Sequence, residues 1–146
     1  MDNLELNLDH NYLRITSISF LFAFFYFLMY SLDSETSTME YILAGMILVL
    51  FICSQLFWYD PVQGSDMHLI DAMVAKSSIV VFILYTLLYK PMTEIVFFSY
   101  MVLFACLVTC FYYSNWYSKK EWCCDEHIFY HGLLHMVCYL GLYYAM

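Results

Sequence analysis

Five apolar stretches, at 15–32, 41–58, 68–89, 95–113 and 127–146, take up most of this chain and limit what it can fold into. Each is close to the roughly 17–25 residues that an α-helix needs to cross a bilayer. In hydrocarbon every backbone N–H and C=O must be paired, so spanning segments are helices or strands of a closed barrel. A barrel needs alternating strands of about ten residues, and no such alternation is present. The breaks at 33–40, 60–66, 90–94 and 114–126 are short and polar. Pro61 and Pro91 fall in them, where proline's missing N–H does little harm. The expectation is one all-α domain over 1–146, a polytopic membrane bundle of about five helices. Composition agrees: 64% of residues are hydrophobic and 12% charged, too apolar for a soluble domain. Five Lys and Arg against thirteen Asp and Glu leave a net charge of −8, the wrong sign for a nucleic-acid partner.

The first stretch does not read as a cleavable leader. Asp2, Glu5 and Asp9 make its leading segment acidic, and no small-x-small cleavage site follows. Five spans put the two termini on opposite sides and do not divide into inverted repeats. Arg14, Lys119 and Lys120 border the N-terminal side. Lys90 alone borders the other, beside the acidic break at 33–40. The positive-inside rule then makes the N-terminal side cytoplasmic. Four of the six cysteines lie within spans as small apolar residues. Cys123 and Cys124 are adjacent in a cytoplasmic break, a poor geometry for a bridge. They read as free thiols, with palmitoylation as the alternative.

Polar side chains inside lipid are costly and need a reason. Within the spans stand Ser54, Asp71, Lys76, His68, His131 and His135, with His127 at a span end. Counting from the cytoplasmic ends, Ser54 and His131 lie roughly 6 Å deep and His135 roughly 12 Å, at 1.5 Å per residue. Asp71 is three residues into its span. Three separate spans therefore place costly groups in one layer of one leaflet. His127-x3-His131-x3-His135 puts imidazoles on one helix face, and two at that spacing can grip one metal ion. A zinc centre needs a third ligand, for which His68 is the candidate. Asp71, at i+3 from His68, suits a general base, an orienting partner of a histidine, or a ligand. Ser54 suits hydrogen bonding to a developing oxyanion or a bound water. Plainer readings stand beside these. His127 can be an interfacial hydrogen-bond partner, and Lys76 can snorkel to the interface. Trp58, Tyr59, Trp116, Tyr117 and Trp122 fit interfacial belts.

The segment His131-Gly-Leu-Leu-His135, with Ser54 near the end of the second span and Asp71 at the start of the third, resembles the three motif patches of the CREST superfamily. That group comprises alkaline ceramidases, progestin and adipoQ receptors, hemolysin III-like proteins and the myomaker group. The order of the patches and their membrane side are also similar. The family's second-helix histidine falls on Trp58 here, so His68 stands in as third ligand or the metal is lost. The family has seven helices where this chain has five. Removing two keeps the last helix in the same orientation. The resemblance implies zinc held by His131 and His135, with His68 as the substitute third ligand if the metal is kept, catalysis by Asp71 and Ser54, and membrane lipids as partners.

Three functions follow as expectations. The first is a zinc-dependent intramembrane hydrolase of a lipid amide or ester, the ceramidase-like substrate class being what the resemblance implies. The second is a non-catalytic membrane-remodelling or structural relative with a vestigial metal site. The third is a His-ligated electron or proton carrier, because intramembrane His and Asp also mark haem sites and proton relays.

Overall fold

A computed structural model of the chain describes residues 9–33 and 37–145. Asp2, Glu5, residues 34–36 of the acidic break and Met146 of the last stretch lie outside the described residues. The described chain forms five helices: α1 (Asn11–Asp33), α2 (Thr38–Tyr59), α3 (Asp66–Tyr89), α4 (Glu94–Lys120) and α5 (Asp125–Ala145). Four of them, α1 to α4, are long and apolar enough to cross a membrane. The chain is thus an all-α, multi-pass membrane bundle.

Two differences from the expected spans have physical causes. The break expected to open at Ser114 is helical through Lys120. Ser-Asn-Trp-Tyr-Ser-Lys-Lys holds no Gly or Pro to stop a helix, and Lys119 and Lys120 favour its C-terminal dipole. The fifth helix forms as expected but is not apolar enough to count among the spanning four. It begins on Asp125 and Glu126 and carries three histidines. Its neighbours shield it: α5 packs on α1, α3 and α4, while α2 packs on α1 and α3. Among the described residues α3 and α4 have no Cα pair within 8 Å. Their backbones stay apart and α5 packs on both, while the Tyr100 side chain of α4 reaches the Thr86 hydroxyl of α3.

Local signals set the helix starts. Ser37 caps α2 in a capping box: its side chain accepts the Glu40 N–H, and the Glu40 carboxylate accepts the Ser37 N–H at 2.9 Å. Ser65 and Thr93 cap α3 and α4. Within α1, hydroxyls return their protons to carbonyls three residues back, Thr16 to Leu13 and Ser17 to Arg14. Such bonding makes hydroxyls affordable in lipid. The core has two parts. Phe20, Ile47, Phe82 and Leu142 belong to the larger. Leu13, Phe57, Trp58 and Ile128 form a second cluster at the end where α2 stops and α3 and α5 begin. At the opposite end the Lys90 ammonium reaches the Glu40 carboxylate at 2.8 Å, and the Tyr85 hydroxyl donates to the same oxygen.

Candidate functional site

The alternation of helix direction brings the start of α1, the end of α2, the start of α3, the end of α4 and the start of α5 to one face of the bundle. Thr16, Ser54, Asp71, Ser114 and His131 each lie five or six residues from those ends, so about 8–9 Å along their helices. Every helix therefore contributes a polar side chain at one depth.

A cavity of about 330 Å³ occupies that layer, and Ser54, His68, Asp71, His131 and His135 all line it. So does His127, which is 2% exposed. Asp71 is buried and makes no hydrogen bond or ion pair among the described residues. Asp71 and Lys76 are not paired. The Ser54 hydroxyl and the Trp58 indole N–H are both buried without a hydrogen-bond partner among the described residues.

The imidazoles are oriented by their Nδ1 atoms. Thr16 donates its single hydroxyl proton to the Leu13 carbonyl at 3.1 Å, so its oxygen accepts from His135 Nδ1–H at 2.9 Å. The Nε2 lone pair of His135 is then free. His131 Nδ1 lies 3.0 Å from the Ser114 hydroxyl. The two rings are perpendicular with centroids 4.9 Å apart. This is how metal-ligating imidazoles are held, the outer nitrogen fixed by a polar partner and the other presented.

His68 and His127 are held the opposite way. Their Nδ1 atoms accept backbone N–H groups, from Gly64 at 3.1 Å and Cys123 at 3.2 Å. A neutral imidazole accepting at Nδ1 carries its proton on Nε2 and has no lone pair left to ligate with. His68 also stacks on Phe57, centroids 5.2 Å apart. As the third ligand of a zinc centre, His68 does not fit. His131 and His135 fit two positions, but the set as a three-histidine centre does not close. Among the described residues no three His, Cys, Asp or Glu side chains come together in a metal-holding group.

Two further expectations change. Trp58 does not face lipid as a belt residue would, and Trp122 is half-buried against its neighbours. Trp58 is 1% exposed, its ring parallel to that of Trp122 at 6.1 Å and edge-on to His131 at 4.9 Å. Trp122 donates its indole proton to the Pro61 carbonyl at 3.0 Å and packs on His127. Together they wall the cavity. Their position near the helix ends hides this from a one-dimensional reading. Thr16 and Ser114 were also not singled out from the sequence. The usable signal was depth, because both fall in the same layer as Ser54 and His131.

No protein-family model, curated protein or solved structure matches the chain.

Proposed function

We propose that this protein is an intramembrane hydrolase that admits a membrane lipid sideways and cleaves its amide or ester bond in the cavity of the cytoplasmic leaflet. The single observation that carries the reading is the convergence of Ser54, Asp71, His131 and His135, from three helices, on one cavity. The order of these residues also supports kinship with the CREST superfamily and its ceramidase-like substrates. In the proposed step, the Asp71 carboxylate takes a proton from water as the water oxygen attacks the lipid carbonyl, then passes it to the leaving nitrogen or oxygen as the C–N or C–O bond breaks, releasing the fatty acid and the amine or alcohol. The Ser54 hydroxyl donates to the oxygen that gains charge. No step is routed through a metal, because the histidine set does not fit the zinc centre the resemblance implies. The fifth helix, shielded by three neighbours, crosses the membrane with the others.

One observation favours the second, non-catalytic reading: Trp58 occupies the position of the family's second-helix histidine. Turnover separates the two. Purified protein in vesicles should release fatty acid from an N-acyl or O-acyl lipid, and Asp71→Asn should lower the rate by about 10²–10⁴-fold. Wild-type protein without turnover, or Asp71→Asn with normal turnover, gives the non-catalytic reading the field. Metal analysis accompanies it. Stoichiometric zinc that is lost in His131→Ala and His135→Ala would reinstate the metal route.

A further inference from the structure

Two cations stand outside the chemistry described so far. The chain has only five Lys and Arg against thirteen Asp and Glu. Two of those five, Lys76 of α3 and Lys119 of α4, line the same cavity as the histidines. They belong to two helices with no Cα pair within 8 Å among the described residues, so they reach the cavity from its two walls, across the α3–α4 seam. Both are exposed, and neither makes an ion pair or hydrogen bond among the described residues. Lys76 lies ten residues into α3, about 15 Å of helix, a depth at which an ammonium needs a reason. Its four-carbon stem lets the charge reach toward the interface.

Farther into the membrane the seam continues as a narrow apolar crevice. It shares Phe20, Leu50, Ile79 and Cys138 with the polar cavity and runs on past Leu103. Two exposed ammonium groups on one cavity, unpaired among the described residues, and an apolar crevice leading on from it match one kind of molecule. We propose that the α3–α4 seam binds a net-anionic, phosphate-bearing membrane lipid, with the phosphate between Lys76 and Lys119 and an acyl chain in the crevice. In a chain of net charge −8, the general field repels such a lipid, so binding has to come from this local pair. Asp71 lines the same cavity but is buried, while the two lysines are exposed. The inference rests on the reading that the cavity takes a membrane lipid, and it names the class of lipid.

The test is fluorescence quenching in phosphatidylcholine vesicles that contain a minor fraction of brominated phosphatidylglycerol or of brominated phosphatidylcholine. The Trp116→Phe background removes a lipid-exposed indole and leaves Trp58 and Trp122 in the cavity wall. Brominated phosphatidylglycerol is expected to quench with at least fivefold higher relative affinity. Lys76→Gln and Lys119→Gln should each cut the preference about fivefold, the contribution of one basic residue near an anionic lipid. Lys76→Arg should keep it. Equal quenching by the two lipids, or a preference that survives the double Gln variant, overturns the proposal. Inorganic phosphate added to plain phosphatidylcholine vesicles should leave the fluorescence unchanged; a response there assigns the lysines to free phosphate and overturns the lipid. Selective quenching without turnover leaves this site standing and removes the hydrolase. Turnover without selectivity does the reverse.

Discussion

At the scale of single residues, the site depends on which nitrogen of each imidazole is engaged. Thr16 and His135 are both buried, and their contact joins the first helix to the last. Thr16→Val keeps the shape and removes the hydroxyl, leaving His135 Nδ1 without its acceptor. The cost should fall between about 0.6 kcal/mol, typical of interhelical hydrogen bonds in a bilayer, and about 3 kcal/mol for a fully stranded group. Thermal unfolding in detergent reads it: Thr16→Val melts earlier, and Thr16→Ser restores the wild-type midpoint. An unchanged midpoint in the Val variant would mean that the bond contributes nothing. Cys123 offers a second measurement, outside the spans. It has φ +58°, the left-handed region that side chains avoid, and from there its N–H reaches His127. Burial pushes its thiol above the ordinary value of 9.0. A raised thiol pKa means less thiolate at neutral pH. Iodoacetamide modification of Cys123, followed by peptide mass spectrometry, should therefore be slow at pH 7.5 and still be accelerating past pH 9. A plateau below pH 8.5 would contradict it.

Helix by helix, packing at one small residue positions the histidines. Gly132 follows His131 on α5, and the Tyr12 ring of α1 lies where a Cβ on Gly132 would be. Gly132→Ala gains up to about 1 kcal/mol of helix propensity but overpacks this contact, which typically costs about 1–3 kcal/mol. The expected net effect is a loss of stability, relieved by Tyr12→Leu in the same chain. A Gly132→Ala protein that melts later than wild type would show that Tyr12 swings aside freely. Helix positions themselves were largely legible in the sequence. Apolar length places α1 to α3 within a few residues, because in lipid the backbone has no alternative to helix. The end of α4 was less legible, since polarity marks the membrane boundary and not the end of a helix. The site was legible as a layer, because depth follows from counting residues. Its hydrogen bonding was not. Gly64 and Cys123 claim His68 and His127 through backbone N–H groups, which residue identities do not reveal. Trp58 and Trp122 turn inward through ring packing that spacing alone does not encode.

Across the whole molecule, the helix that carries the histidines is the one least suited to lipid and the one most surrounded by protein. The two facts belong together. Asp125, Glu126, His127, His131 and His135 make α5 too polar to stand among the four apolar helices, and contact with α1, α3 and α4 removes much of its surface from lipid. A polar helix at the centre and apolar helices around it is the arrangement that lowers the cost of a polar cavity within a bilayer. It also makes the last crossing depend on the other helices. A crossing α5 puts the two chain ends on opposite faces. Arg14, Lys119 and Lys120 would then hold the N-terminal face to the cytoplasm. Epitope tags at the two ends, with a cysteine introduced at Ser118 as reference, test this in sealed vesicles with a membrane-impermeant reagent. The N-terminal tag and Ser118→Cys should respond together and the C-terminal tag should not. If all three respond from one side, α5 enters and leaves by the same face. His131 and His135 would then not enter the membrane beside Ser54 and Asp71, and the convergence on one cavity within the bilayer would be lost.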